Sequence, residues 1–251
     1  MIFQNFGFNR QIVKGAAAPA FSYPAGAFAI YDFGNPASYP GTGTIAYDVS
    51  GNANTGSMVN SPTWSSANGG ILQMVRSSYQ YITYSATFTP TITTIFIWKN
   101  TDATNQSYWG FPSARYSYGT INTLDIGGAP YNKQLAIIPA NNSGGFSTFS
   151  SAYVGPSNIQ IFNQYSTIIK SISSSSTTVT NYINNLSPTA NENKNFDRTG
   201  TSGSGTAYLG IDPPQGTGQA ANGYLMGYLH YNKELTTSEI TSIYNTFSTR
   251  F

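Results

Sequence analysis

The sequence predicts an all-β chain that folds as a two-sheet antiparallel sandwich, with one short C-terminal helix and an extended N-terminal arm. The 251 residues include 25 Gly, 13 Pro, 19 Tyr and 15 Phe, a composition typical of short strands joined by tight turns. Several segments alternate with the two-residue period of a strand. A chain of this length suits one sandwich domain, which buries roughly 70–75% of the surface of the unfolded chain.

The predicted arm covers residues 1–28, and the predicted sandwich covers residues 29–251. Small residues and prolines at positions 16–26 indicate an extended linker. A free arm would leave Phe3, Phe6 and Phe8 in water, so we expect these rings to anchor the chain to another protein. The first residues lack the charged and apolar regions of a secretory signal, and no apolar run reaches the roughly 18 residues of a membrane span.

Strands are predicted from runs of β-branched and aromatic residues, starting with residues 27–33. Further strands are expected at residues 57–59, 70–74, 80–84, 91–99, 135–138, 159–163, 165–170, 177–184, 207–210 and 224–231. The serines at 173–176 are predicted to form a hairpin turn. Thr236 begins the predicted helix, and Glu239 completes a capping box. One helical stripe carries Ile240, Ile243, Tyr244 and Phe247.

The segment of residues 48–54 predicts a tight turn. Asp48 and Ser50 can bond the following backbone, while Gly51 and Asn52 tolerate positive φ. We expect the Asp48 carboxylate to accept hydrogen bonds from residues 50–54. A calcium site is the alternative, because Asp48, Asn52 and Asn54 offer the oxygen ligands that calcium prefers. No other cofactor is expected.

Residues 47–60 and 223–240 resemble the opening and closing segments of the laminin-G-like, concanavalin A-like lectin/glucanase family. The first carries a D-x-S-G-N-x-N turn, and the second carries the family's Y-N-x-x-L-T-x-x-E-I ending. Residues 32–43 resemble the D-x-x-N-P-x-S-Y-P-G-x-G loop of the family. The family's F-D-G-x-x-D-Y acids are replaced at residues 74–79. The resemblance implies a jelly-roll sandwich whose rim loops contact sugars.

The acidic residues argue against catalysis. Glycosidases need two neighbouring carboxyl groups, and the related glucanases carry them in an E-x-D-x-E strand motif. No two of the nine acids here lie within two residues of each other. The only histidine, His230, lies inside the last predicted strand, and we expect it to be a packed strand residue rather than a base. A glycoside hydrolase or lyase is therefore the least favoured alternative.

The charge pattern and the lack of cysteine argue against several further classes of function. The net charge is +2 and the eleven basic residues form no run, which argues against a nucleic-acid partner. The absence of cysteine removes disulfides and thiolate chemistry. Charged residues make up 8% of the chain, a composition more typical of extracellular or particle-bound proteins than of cytosolic enzymes.

The predicted sugar-binding rim consists of Asn, Asp and aromatic residues in three segments. They are Asn105, Tyr108, Trp109, Arg115, Tyr116 and Tyr118 in the first loop, Asn141 and Asn142 in the second, and Asp212 and Gln215 in the third. Aromatic rings stack on sugars, and amides bond their hydroxyl groups. The alternative is that these rings cover the sandwich or fill a subunit interface.

These expectations combine into one function. The family resemblance and the missing signal predict a non-enzymatic structural protein on the virion exterior, as a capsid decoration, a fibre or a tail-associated component. Its partners would be other virion proteins, through the arm, and host surface polysaccharide, with the chain present as a homo-oligomer or in many copies. The alternative is a carbohydrate-binding module of a bacterial surface or secreted protein, located on the cell surface or outside the cell.

Overall fold

A computed structural model of the chain describes residues 22–101, 107–109, 123–126, 135–138, 160–173, 176–184, 190–194, 203–211 and 220–251. In chain order the described strands are β1 (Ala29–Asp32), β2 (Ile45–Ala46), β3 (Gly56–Val59), β4 (Thr63–Ser65), β5 (Ile71–Met74), β6 (Tyr81–Phe88), β7 (Thr91–Asn100), β8 (Ser107–Trp109), β9 (Thr123–Ile126), β10 (Leu135–Ile138), β11 (Asn163–Ser173), β12 (Ser176–Ile183), β13 (Ala190–Lys194), β14 (Gly203–Leu209) and β15 (Gly223–Tyr231). The helix α1 spans Thr237–Ser248.

The strands form an eight-stranded main sheet, a four-stranded second sheet and a short three-stranded sheet. The main sheet has the order β13-β12-β11-β7-β15-β5-β4, with β1 also paired to β15. The second sheet has the order β14-β6-β3-β2, and the third has the order β10-β9-β8. All named strand pairs are antiparallel. The predicted all-β, antiparallel two-sheet architecture is confirmed.

Strand β15 lies at the centre of the main sheet. One edge pairs with β7 from Gly223 to Tyr231, with a register shift between Leu225 and Gly227. The other edge is shared, because β5 pairs with residues 223–225 and β1 pairs with residues 227–230. The strand therefore joins the first and last parts of the sandwich.

The alternating residues of β7 contribute to two buried clusters, one on each face of the main sheet. On one face, Ile92, Phe96 and Trp98 share a buried cluster with residues of the second sheet. On the other face, Ile95 and Ile97 share a cluster with the helix residues Ile240, Ile243 and Phe247. The second sheet, the main sheet and α1 are therefore three stacked layers, held together mainly by apolar burial.

Helix α1 begins as the sequence predicts. The Thr236 hydroxyl accepts a hydrogen bond from the Glu239 backbone N–H (3.2 Å), and the Thr236 N–H donates to the Glu239 carboxylate (2.8 Å). Ile240, Ile243 and Phe247 are buried, and Tyr244 is half-buried. Among the described residues, no helix has both the length and the apolar character needed to cross a membrane.

The described end of the predicted arm packs on the sandwich. Phe28 N–H donates to the His230 carbonyl (2.7 Å), and the Tyr23 hydroxyl donates to Asp32 (2.8 Å). The Tyr231 hydroxyl reaches the Pro24 carbonyl (3.3 Å). Residues 22–28 therefore belong with the sandwich, because their backbone and side chains bond to β1 and β15. The anchoring role of Phe3, Phe6 and Phe8 stays a prediction, since these residues lie outside the described part of the chain.

The predicted strand at 159–163 is wrong, because residues 160–162 lie outside any strand and β11 begins at Asn163, whereas the predicted strand at 165–170 lies within β11. Asn163 and Gln164, at the start of β11, are polar, but both side chains are buried and hydrogen-bonded. Gln164 Nε2 donates to the Ser166 hydroxyl (3.1 Å) and to the Ile240 carbonyl (3.1 Å). Ser173 pairs with Ser176 across the following connection, as a hairpin requires. Strands β2, β4, β8, β9 and β13 are short and were not predicted.

Candidate functional site

Most of the predicted rim residues lie outside the described part of the chain. These are Asn105, Arg115, Tyr116, Tyr118, Asn141, Asn142, Asp212 and Gln215. Tyr108 and Trp109 are placed by their backbone only, in β8, opposite Asp125 and Leu124 of β9. Residues 107–109 of the predicted loop thus form a strand, which agrees with the β propensity of Tyr and Trp. The rim as a sugar site stays a prediction.

The loop of residues 48–54 is held by the Asp48 carboxylate. Oδ1 accepts from the backbone N–H groups of Ser50 and Ile30, both at 2.8 Å. Oδ2 accepts from the Ser50 hydroxyl (2.7 Å) and from the Asn54 N–H (3.0 Å). The predicted hydrogen bonds are confirmed, and Ile30 adds a link to β1 that the sequence did not indicate.

The two asparagines of this loop also bond to the chain that enters β1. Asn52 Nδ2 donates to the Ala27 carbonyl (2.7 Å), and Asn54 Nδ2 donates to the Phe28 carbonyl (2.6 Å). The side chains of Asp48, Asn52 and Asn54, which were the candidate calcium ligands, are thus each engaged in hydrogen bonds with the backbone. Among the described residues, no group of three or more His, Cys, Asp or Glu side chains is placed to hold a metal ion. The calcium alternative stays a prediction.

His230 belongs to a buried aromatic cluster between the two large sheets. The Tyr84 hydroxyl lies 2.8 Å from the Tyr228 hydroxyl and 3.1 Å from His230 Nδ1. The Phe28 ring centroid lies 5.0 Å from that of His230. Burial lowers the pKa of His230 to about 3 and raises the pKa of the Tyr84 hydroxyl. The prediction of a packed strand histidine is confirmed.

The described carboxylates are engaged in structural contacts. Asp32 pairs with Arg250 (2.7 Å), and Asp48 holds the loop described above. Glu234 pairs with Lys170 (2.6 Å), and Glu239 caps α1 while it pairs with Lys233 (3.0 Å). These are the acidic residues whose side chains the structure describes, and no two of them bond to a common atom. Each of these four groups therefore has a structural role in a hydrogen bond or an ion pair.

The outer face of the second sheet is rich in tyrosine, threonine and serine. We define the tyrosine–hydroxyl face by the outward residues of β6 and β14, which are Tyr81, Thr83, Ser85, Thr87, Ser204, Thr206 and Tyr208. They alternate with the buried residues Ile82, Tyr84, Ala86, Ala207 and Leu209. The four strands of this sheet contain no charged residue.

Two rings and four exposed hydroxyl groups define the geometry of this face. The ring centroids of Tyr81 and Tyr208 are 6.0 Å apart, and the rings are inclined by 44°. Ser85 lies directly opposite Thr206 in the strand register. The Thr87 and Ser204 hydroxyls are 3.2 Å apart. The strict alternation in residues 81–87 was the signal in the sequence that could have revealed this face.

Comparison with known proteins identifies the fold. No protein-family model and no curated protein matches the chain. Domain 4 of AbnA, a GH43 extracellular arabinanase from Geobacillus stearothermophilus solved in complex with arabinotriose, is similar with a TM-score of 0.62 and 15% identity, over 87% of this chain and 98% of that domain. The botulinum neurotoxin type G receptor binding domain is similar with a TM-score of 0.59 and 13% identity, over 88% of this chain and 51% of that one.

A structure of botulinum neurotoxin type C, whose cell entry depends upon interaction with two ganglioside molecules, gives a TM-score of 0.59 at 9% identity, over 88% of this chain and 51% of that one. This chain therefore spans about half the length of the toxin chains and nearly the whole of the arabinanase domain. At these identities the likeness establishes the fold, a β-sandwich compatible with the lectin-like jelly roll that the sequence resembles.

Proposed function

We propose that this chain is a non-catalytic, carbohydrate-binding sandwich domain. The observation that carries the proposal is the likeness to domain 4 of the arabinanase, which covers 98% of a domain solved in complex with arabinotriose. The chain thus resembles a separate domain of an enzyme, one that holds a sugar. The engagement of Asp32, Asp48, Glu234 and Glu239 in structural contacts supports binding rather than hydrolysis.

A binding domain of this kind works best in many copies. A single sandwich site binds sugars weakly, on the order of millimolar, and linked copies raise the apparent affinity by roughly 10²–10⁴. We therefore propose that the domain is displayed in several copies on a virion exterior, as a decoration, fibre or tail component. The low charge and the Phe-containing arm support this setting. The module of a bacterial surface or secreted protein fits the fold equally well.

The sugar-binding proposal is tested with the chain coupled in many copies to a bead or scaffold and applied to a glycan array. We expect retention by one or a few glycans, and no release of reducing sugar from them. A multivalent chain that binds none of the glycans would overturn the proposal. Release of reducing sugar by the purified chain would replace binding with catalysis.

The display proposal needs a separate test, because sugar binding is common to both settings. Deletion of residues 1–21 leaves every described residue in place. We expect the truncated chain to keep its sugar binding and to lose its incorporation into particles, as measured by mass spectrometry of purified virions. A truncated chain that is incorporated as well as the full chain would exclude anchoring by the arm.

A further inference from the structure

We infer that the tyrosine–hydroxyl face, rather than the rim, is the sugar-binding surface, and that its ligand is a soluble neutral polysaccharide. The inference rests on the proposed sugar-binding function and gives it a location and a ligand class. Three features of the face carry it: the absence of charge in its strands, the geometry of its two rings, and the arrangement of its hydroxyl groups.

The charge pattern selects a neutral ligand. Strands β2, β3, β6 and β14 contain no Asp, Glu, Lys or Arg, although the whole chain has twenty such residues. A sulfated or uronic-acid polymer would gain no ion pair from these strands and would lose part of its hydration. A neutral polysaccharide meets no such cost. The face and the ligand therefore match in charge.

The two rings select a flexible chain over a crystalline surface. Tyr81 and Tyr208 are half-buried, so the packed part of each side chain fixes its orientation while the rest meets solvent. Rings that stack on the flat surface of a crystalline polymer must be nearly coplanar, but these are inclined by 44°. A single polysaccharide chain that bends or twists can place one sugar on each ring.

The hydroxyl groups supply polar contacts beside the two rings. Ser85 and Thr206 are exposed and directly opposite each other, and each hydroxyl can donate and accept, as a sugar hydroxyl does. They project from paired antiparallel strands, so their backbone is already ordered before binding. A preorganised surface loses less entropy when the ligand binds than a loop would.

The test is affinity electrophoresis of the purified chain in gels that contain arabinan, mixed-linkage β-glucan or soluble starch. The double variant Tyr81→Ala/Tyr208→Ala should bind at least about tenfold more weakly than the wild type. The control Tyr244→Ala removes a half-buried tyrosine from α1, on the opposite side of the main sheet, and should bind as the wild type does. Raising NaCl from about 0.05 to about 0.5 M should leave binding unchanged.

A second pair of variants ensures that a loss of binding is not mistaken for a loss of folding. Thr206→Lys places a charge in the centre of the face at an exposed position of β14, the outermost described strand of its sheet, where lysine is well tolerated. It should abolish retardation in the gel, while Ser242→Lys, at an exposed position of α1, should not change it. Thermal unfolding of each variant reports its fold independently of sugar.

The outcomes separate this inference from the proposed function. If the wild type binds a polysaccharide and all face variants bind equally well, or if only Trp109→Ala loses binding, the site lies at the rim and the inference is overturned while the function stands. If the wild type binds glycans on the array but none of these neutral polysaccharides, the inference is overturned while the function stands, and if it binds neither, both fail. If Thr206→Lys instead converts an oligomer to a monomer in sedimentation equilibrium, the face is an interface between copies of this chain, and the inference is overturned.

Discussion

Two ion pairs have nearly the same length but differ in burial, and we expect burial to decide how much each contributes to the stability of the fold. The Arg250–Asp32 and Lys170–Glu234 pairs have N···O distances of 2.7 and 2.6 Å. The first pair has side-chain exposures of 11% and 0%, and the second has 44% and 47%. Asp32 also accepts hydrogen bonds from Tyr23 and from the Gly34 N–H. A buried carboxylate that loses its partner remains charged without compensation, whereas an exposed one is solvated by water.

We therefore expect Arg250→Ala to lower the free energy of unfolding by about 3–5 kcal/mol. The guanidinium also bonds the Gly70 and Asn68 carbonyls, at 2.8 and 3.2 Å. The matched variant Lys170→Ala should cost less than about 1 kcal/mol. Urea unfolding at neutral pH measures both values. Equal losses for the two variants would show that burial of Asp32 is not the deciding factor.

The titration of His230 predicts a loss of stability in acid. Burial lowers its pKa from 6.5 to about 3 in the folded chain. Between these two pH values the unfolded state binds a proton that the folded state does not. The free energy of unfolding therefore decreases as the pH is lowered, by about 1.4 kcal/mol per pH unit. Above pH 6.5 this contribution is constant.

The measurement compares the wild type with His230→Gln, which cannot titrate. From pH 7 to pH 5 the wild type should lose about 2 kcal/mol relative to the variant, whatever the absolute stability of each. Parallel stability curves for the two proteins over this range would contradict the buried, neutral state of His230. The comparison cancels the titration of the carboxylates that both chains share.

At the scale of elements, the loop of residues 48–54 fastens β1 to the rest of the sandwich. Asp48→Ala removes the acceptor of four hydrogen bonds, one of them from Ile30 inside β1. We expect a loss of about 3 kcal/mol in the free energy of unfolding, because partly buried N–H groups are left without acceptors. The control Ser65→Ala removes the acceptor of a single exposed hydrogen bond, from the Ala67 N–H (3.2 Å), and should cost less than about 1 kcal/mol.

Chelation distinguishes the two interpretations of this loop, a turn held by hydrogen bonds and a calcium site. If hydrogen bonds alone hold it, the wild-type Tm is unchanged by EDTA and by added calcium. A sharp fall of the Tm with EDTA, restored by calcium and absent in Asp48→Ala, would establish the calcium site instead.

The sequence predicted those elements whose local signals agree with their environment. The capping box of α1 and the long apolar strand β7 have strong local patterns, and both were located within one or two residues. The start of β11 was missed: Gln164 is polar, as loop residues often are, yet its side chain is bonded to Ile240 in another layer. Local pattern cannot show such a distant partner. The tyrosine–hydroxyl face was missed for a related reason, because β6 and β14 are about 120 residues apart in the chain and meet only in the sheet.

At the scale of the whole molecule, the three-layer arrangement depends on the docking of α1. Phe247 is fully buried, with the Tyr23 ring centroid at 6.5 Å and the Arg250 guanidinium at 5.2 Å. Phe247→Ala should lower the free energy of unfolding by about 3–5 kcal/mol through the cavity that it leaves. Tyr244→Ala, on the same helix but half-buried, should cost clearly less. Calorimetry of the two variants provides the comparison, and a Phe247→Ala loss no larger than that of Tyr244→Ala would show that burial of the Phe247 ring does not hold the helix to the sheet.

The central position of β15 has a consequence for the synthesis of this protein. About 190 residues separate the end of β1 from the start of β15. At roughly 5–20 residues per second, a ribosome needs about 10–40 s to make them. During that time β1, β5 and β7 each lack β15 as a pairing partner, and the apolar side chains of β7 are not yet fully buried. Nascent chains halted before residue 223 should therefore be chaperone clients.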